Sequence, residues 1–348
     1  MDIQEQVPLA PLTTLRIGGP ARYFVEARSQ AAAREAVDYA GSRRLPLLIL
    51  GGGSNLVVAD RGFPGLVLKI AIGGVECRTE GGKVVFEAGA GENWDGLVAR
   101  AVAADCAGLE CMSGIPGTVG GTPVQNVGAY GQEVSETITD VQVLDQQDGQ
   151  VRNLCNPACG FEYRSSIFNT SARRRYIILR VTYALQPGGE PRIAYRDLKN
   201  HFAGGSARPS LAEVREAVRQ IRLSKAMLIV EGDEDCRSAG SFFKNPVLSP
   251  EDYSDLVERA SAKGLQIPAY PAVGQNHKVP AAWLVEQSGF PKGYQRGAVG
   301  ISRKHALALV NRGGATAAEL IALKNDIQSA VSDQFGIELQ PEPVFVGF

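Results

Sequence analysis

Leu47-Leu48-Ile49-Leu50-Gly51-Gly52-Gly53-Ser54-Asn55 decides how the chain begins: four apolar residues of strand character run into three consecutive glycines and two short polar side chains. Without Cβ atoms, glycine backbone N–H groups can close on a diphosphate, and Ser54 and Asn55 add side-chain donors. An ordinary Gly/Asn turn has the same composition, so both readings stay open on this loop alone. Upstream, residues 23–26 read as a strand and the Ala-rich stretch 30–42 as a helix. Downstream, 66–70 and 84–88 alternate like strands and 93–104 carries a helical period, so a mixed α/β start is expected.

A second glycine loop follows. Ser113-Gly114-Ile115-Pro116-Gly117-Thr118-Val119-Gly120-Gly121 holds four glycines in nine residues, and Gln125-Asn126-Val127-Gly128-Ala129-Tyr130-Gly131 extends it before a strand at 141–145. So many glycines with so few charges suit backbone packed around a large, flat ligand bearing phosphates. Neither loop has Gly-x-Gly-x-x-Gly spacing, and no Gly-x-x-x-x-Gly-Lys-Ser/Thr occurs, which argues against the usual nicotinamide domain and the P-loop. A strand is expected at 177–185, connections at 188–189 and 203–209, and a helix at 211–223, with a domain boundary near 210. Helical patterns at 250–263 and 315–335 and strand-like stretches at 306–311 and 344–346 suggest a second α/β unit.

The chain of 348 residues is long enough for two or three domains. Its 36 basic and 37 acidic residues give no field that would draw it to nucleic acid or anionic lipid. No apolar run approaches the roughly 20 residues of a membrane span, and residues 1–10 lack a secretory pattern, so a cytoplasmic protein is expected. The six cysteines contain no Cys-x-x-Cys, and His201, His277 and His305 stand far from them, so no metal site is expected. The acidic stretch 229–236 reads as an exposed loop.

Seven stretches together carry a resemblance: Thr14-Leu15-Arg16-Ile17-Gly18-Gly19-Pro20, residues 50–55, residues 113–131, Phe161-Glu162-Tyr163-Arg164-Ser165-Ser166-Ile167-Phe168, Gly240-Ser241-Phe242-Phe243-Lys244-Asn245-Pro246, Pro280-Ala281-Ala282-Trp283-Leu284-Val285-Glu286 and Leu339-Gln340-Pro341-Glu342. In this order, over nearly the whole chain, they resemble the UDP-N-acetylenolpyruvoylglucosamine reductases, in the form with a tyrosine loop. The resemblance implies an α+β (mixed α/β) protein. Its FAD-binding fold would be of the vanillyl-alcohol-oxidase and p-cresol methylhydroxylase type, in subdomains 1–70 and 71–210. A C-terminal α/β substrate-binding domain would span 225–335, and a segment 336–348 would return to the active site. It implies noncovalent FAD, NADPH as co-substrate, and reduction of UDP-N-acetylglucosamine enolpyruvate to UDP-N-acetylmuramate for peptidoglycan. A monomer is expected.

On that resemblance the FAD contacts are Gly51, Gly52, Gly53, Ser54, Asn55, Ser113, Gly114, Ile115, Gly117, Thr118, Gly120, Gly121, Asn126, Gly128 and Ala129. Arg164, Ser241 and Glu342 match catalytic positions, and Tyr195, Lys225, Asn245 and Lys278 match contacts to the sugar-nucleotide diphosphate. The chemistry suits them. Hydride addition to the enolpyruvyl ether leaves negative charge beside a carboxylate, which the Arg164 fork can grip. Ser241 can protonate the carbon, and Glu342 is expected to act in its protonated form, since an ionised carboxylate there would raise the barrier. The Tyr195 match rests on the connection after Leu185, which resembles the longer family form with a tyrosine loop, and between Lys225 and Ser241 the acidic stretch 229–236 departs from the family pattern. An FAD-linked oxidase and a non-catalytic flavin or nucleotide-sugar binder are the rival readings.

Overall fold

Ser29 accepts a hydrogen bond from the Ala32 N–H at 3.1 Å and starts helix α1, Gln30–Ser42, which turns Ala33, Ala36 and Ala40 inward. Asn93 caps α2, Trp94–Ala103, through the Gly96 N–H at 2.8 Å. The short α3, Arg196–Phe202, precedes α4, Leu211–Ser224, where Ser210 and Glu213 form a capping box. Ser249 followed by proline starts α5, Pro250–Ser261, and α6 spans Ala281–Gln287. The long α7, Ala317–Phe335, opens on a Thr316–Glu319 capping box and stops at Gly336, whose φ of 72° is the left-handed geometry glycine adopts without strain.

The structure, a computed structural model, describes residues 1–204, 208–272 and 274–348; the connection expected at 203–209 lies partly outside them. Contacts divide the chain into two compact units. The first is Met1–Val7, Ala21–Gly53 and Pro64–Leu228, which takes in α1 to α4; the second is Pro8–Pro20, Ser54–Phe63 and Ile229–Phe348, with α5 to α7. The division thus runs between Leu228 and Ile229, and two segments from early in the chain group with its C-terminal part.

In the first unit a four-stranded sheet orders Gln4–Pro8, Pro20–Ala27, Phe63–Ile70 and Leu47–Leu50, the last two parallel. A larger antiparallel sheet orders Val151–Cys155, Ile138–Asp145, Tyr176–Pro187, Lys83–Gly89 and Val75–Glu80, with Cys106–Ala107 pairing the end of Tyr176–Pro187. Strand period shows along Tyr176–Pro187: Ile177, Leu179, Val181, Tyr183 and Leu185 are buried, while Arg180, Thr182 and Ala184 on the other face are half-buried. Tyr183 packs 5.8 Å from the buried Trp94 ring and shares a 2.8 Å hydrogen bond with the Thr122 hydroxyl. Burial pushes its phenol well above the usual range, so it stays protonated.

The second unit is assembled from distant segments. Val344–Val346 runs parallel to Leu56–Val58, and Leu15, Ile17 and Val57 share a core with Phe242, Phe243, Leu320, Ile327 and Phe335. Asp60 accepts from the N–H groups of Ala317 and Ala318 at 2.7 and 3.0 Å, adding a carboxylate to the positive end of α7. The stretch 229–236 is not uniformly exposed. Ile229 and Val230 are, but Asp235 is buried and holds Arg303 and Arg312 at 3.0 and 2.6 Å. Burial alone would raise its carboxyl, yet the hydrogen bond from Arg303 and the charge of Arg312 keep it below the usual carboxylate range. An acidic run looks solvated in sequence because its arginine partners lie almost 70 residues away or further. Four cysteines are buried, Cys77 and Cys155 are exposed, and none forms a disulfide.

Candidate active site

The strand Leu47–Leu50 delivers residues 51–53 against the second glycine loop. A Cβ on Gly51 would lie 2.8 Å from Thr118 Oγ1, and one on Gly52 would lie 2.5 Å from the Gly117 Cα, so the two loops meet backbone to backbone. The start of α2 pins the second loop: the Trp94 N–H donates to the Gly117 carbonyl at 3.2 Å, Val119 to Glu92 at 2.9 Å and Gly120 to Ala90 at 2.9 Å. A Cβ on Gly120 would strike the Ala90 side chain at 2.6 Å. Ser113 is buried, its hydroxyl donating to the Glu110 carbonyl at 2.6 Å, and the Gly114 N–H donates to Asp95 at 2.6 Å. Ile115, Gly117 and Thr118 are half-buried and Gly121 is exposed. These Cβ-free walls and main-chain donors fit the diphosphate of a dinucleotide. Gly52→Ala is expected to force the loops apart at a cost of about 2 kcal/mol, weakening FAD roughly thirtyfold, as read by titrating apoprotein with FAD.

Further along, Asn126 is buried at φ 45°. Its amide nitrogen donates to Glu133 at 2.7 Å and to the Glu162 carbonyl at 3.1 Å, and its oxygen accepts from the Ser135 N–H. Its side chain therefore braces the loop. Gly128–Ala129 pairs with Gln132–Glu133, and the turn between them is Tyr130-Gly131, both at positive φ. Arg164 also has positive φ, 55°, in the tight turn closed by paired hydrogen bonds between Glu162 and Ser165. Such geometry is disfavoured for a non-glycine residue and marks a constrained position. Its guanidinium donates to the Gly128 carbonyl at 2.8 Å, tying it to the glycine loop.

Tyr130 gathers two of the expected diphosphate contacts. The Tyr195 ring meets it edge-on at 5.6 Å, and Lys225 Nζ lies 6.0 Å from its ring centre while pairing with Asp197 at 2.5 Å. Burial pushes the Tyr130 phenol up to about 12. Tyr195 is 48% exposed, an unusual position for so large a ring and one suited to covering a ligand. Sequence reasoning did not single out Tyr130, which reads there as one more loop residue.

The other candidates lie in the second unit. Residues 241–244 run antiparallel to 340–342: Phe243 bridges Pro341, the Lys244 N–H donates to Gln340 and the Glu342 N–H donates to the Phe242 carbonyl at 2.9 Å. Ser241 thereby stands one residue from the main-chain partner of Glu342. Asn55 joins them, its amide donating to the Glu342 carbonyl at 3.2 Å and its carbonyl accepting from Val344 at 2.9 Å. The Ser54 carbonyl accepts from the Thr14 hydroxyl at 3.5 Å. Ser241 Oγ lies 3.4 Å from His305 Nε2, a neighbour that no motif in the sequence announced. Asn245 accepts from the Ala281 N–H at the start of α6, and Lys278 pairs across from Val247. Arg164, Tyr195 and Lys225 thus belong to one unit, and Ser241, Glu342, Asn245 and Lys278 to the other.

Fold and loops define the class, a flavoprotein oxidoreductase with an FAD-binding fold: residues 21–154 match the family described as FAD binding domain. Residues 232–346 match the UDP-N-acetylenolpyruvoylglucosamine reductase C-terminal domain. The UDP-N-acetylenolpyruvoylglucosamine reductase of Thermobifida fusca is 46% identical over 98% of this chain and 97% of its own length, and that of Saccharopolyspora erythraea 46% identical over 97% and 94%. The crystal structure of the Thermus caldophilus enzyme superposes with a TM-score of 0.67 over 99% of both chains at 25% identity. The chain belongs to the UDP-N-acetylenolpyruvoylglucosamine reductase family.

Proposed function

We propose that Arg164, Ser241 and Glu342 carry the reaction of this family in this chain, with Tyr195, Lys225, Asn245 and Lys278 binding the sugar nucleotide. The chain is an NADPH-dependent flavoprotein oxidoreductase that reduces UDP-N-acetylglucosamine enolpyruvate to UDP-N-acetylmuramate, a step of peptidoglycan precursor synthesis. In functional terms the first unit is the FAD domain and the second the substrate domain, with residues 336–348 bringing Glu342 to Ser241. Residues 51–55 and 113–129 would hold FAD noncovalently, and the bound flavin would supply the hydride chemistry between NADPH and the enolpyruvyl methylene carbon.

The protein's own groups do the rest. Arg164 grips the substrate carboxylate, and its attachment to the Gly128 carbonyl orients the guanidinium before substrate arrives. Ser241 gives its hydroxyl proton to the carbon next to that carboxylate, and His305 Nε2 is within reach to return one. Glu342, protonated, donates a hydrogen bond to the enolate oxygen as charge builds there. The observation that carries the reading is the pairing of 242–244 with 340–342, which sets the main chain of Glu342 against Phe242, the neighbour of Ser241, across 100 residues of sequence. No helix among the described residues is long and apolar enough to cross a membrane. We assign the enzyme to the cytoplasm as a monomer; sedimentation at twice 37.0 kDa would remove the latter.

Visible spectra of the anaerobic holoenzyme test the function. Flavin bands should bleach on NADPH and return on UDP-N-acetylglucosamine enolpyruvate. Bands that stay bleached until oxygen enters would favour an oxidase, and bands that never bleach would favour a binder without chemistry.

A further inference from the structure

The cations of α4 are held by two carboxylates, in different ways. Arg215 grips Asp95 through two hydrogen bonds at 2.6 and 3.0 Å, Arg219 reaches the same carboxylate at 2.8 Å, and the Gly114 N–H donates to it at 2.6 Å. Lys225, where α4 ends, meets Asp197 alone, at 2.5 Å. Their side chains are 35% and 31% exposed, and neither has another hydrogen-bond or ion-pair partner among the described residues. Asp95 is fastened by three groups, whereas Asp197 depends on one that solvent and ligands can reach.

Of the two partners Lys225 is the movable one. Upstream of Asp197, Arg192 is clamped: its N–H donates to Glu110 at 3.0 Å, its carbonyl accepts from the Cys111 thiol at 3.1 Å, and its guanidinium donates to Glu136 at 2.7 and 2.9 Å. Just after Asp197, Leu198 is fully buried in a core with Cys111, Tyr130, Val214 and Val218. Residues 193–197, which carry Tyr195 and Asp197, are thus anchored at both ends. The Lys225 ammonium instead rides on a flexible four-carbon stem. An anion that draws it away leaves the Asp197 carboxylate behind.

We propose that Asp197 is a competing counter-charge, which holds the Lys225 ammonium in the empty site and yields it to the diphosphate of the sugar nucleotide. The inference deepens the reading above and rests on Lys225 being a diphosphate contact. One ammonium neutralises one charge. A diphosphate adds further negative charge beside it, and the stationary Asp197 carboxylate repels that charge at short range. Asp197 is therefore a positioning residue, acting through Lys225, that lowers affinity. Substrate and product carry the same diphosphate, so both feel it alike. When product leaves, Asp197 recovers the ammonium with no proton transferred, and the same repulsion favours release.

Titration calorimetry of the oxidised holoenzyme without NADPH tests this, with UDP-N-acetylglucosamine enolpyruvate and UDP-N-acetylmuramate as probes. Asp197→Asn, which keeps the shape and removes the charge, should bind both about fivefold more tightly at low salt. The gain should fade as salt is raised to about 0.5 M, because it is a screened charge effect. Asp197→Glu should bind as the wild type does. Equal or weaker binding of either probe by Asp197→Asn would make Asp197 a brace for α3 or for Lys225 and overturn the proposal, as would a gain indifferent to salt. Lys225→Met should weaken both probes about tenfold. If it weakens them while Asp197→Asn brings no gain, the competition alone falls; if it leaves both unchanged, the diphosphate reading of Lys225 falls and takes this inference with it.

Discussion

Ser241→Ala is expected to slow reoxidation of the reduced enzyme by the enolpyruvyl substrate about a thousandfold, while NADPH bleaches the flavin at the wild-type rate. The asymmetry follows from where the proton is needed. Hydride delivery to the methylene carbon leaves a carbanion that collapses back unless the neighbouring carbon is protonated, whereas flavin reduction by NADPH requires no proton from this side chain. The main chain around Ser241 is held by the Phe242 N–H bond to Leu307 and the Phe242 carbonyl bond to Glu342, so removing one hydroxyl leaves that frame intact. Stopped-flow traces of the two half-reactions check it. Equal slowing of both would make Ser241 a structural serine and would shift attention to His305.

For Glu342 the informative result is a comparison of two replacements in that oxidative half-reaction. Glu342→Ala should lose about a thousandfold, because a developing enolate would lose a preorganised donor. Glu342→Gln, which keeps a neutral N–H donor of similar reach, should recover at least about tenfold of that loss. Glutamine no better than alanine would mean that the carboxyl group acts by moving a proton or by holding the 340–342 strand, and the neutral-donor account would fall.

Much of this was legible because it was local. Five helices were read from their apolar periods and composition, and the observed bounds lie within two residues of that reading, each starting at a Ser, Asn or Thr cap. The second glycine loop stood out by its many glycines and few charges, whereas residues 51–55 share the composition of an ordinary turn. The short α3 and α6 escaped notice, as seven residues span too few turns to show a period. So did whatever depends on partners far away in sequence. Asp235 meets arginines at 303 and 312, Asp95 meets arginines at 215 and 219, and His305 meets Ser241; none of these pairs has a spacing that propensity can detect. The grouping of segments 8–20 and 54–63 with the C-terminal part is of the same kind. Their apolar residues look like any others, and only the parallel pairing of Leu56–Val58 with Val344–Val346 reveals where they belong.

That pairing has a consequence during synthesis. A nascent chain emerges from the ribosome with Leu15, Ile17 and Val57 already made, yet the core they enter is not complete until α7 and Val344–Val346 have followed. For most of translation these side chains are apolar surface awaiting burial, a state in which chains associate with one another or with chaperones. A fragment spanning 229–348 expressed alone lacks three residues of its own core, and a chain stopped at 228 leaves them stranded. A circular permutant that begins at 229 and carries residues 1–63 after 348 would bring those parts out in immediate succession, and should aggregate less during expression than the natural order does.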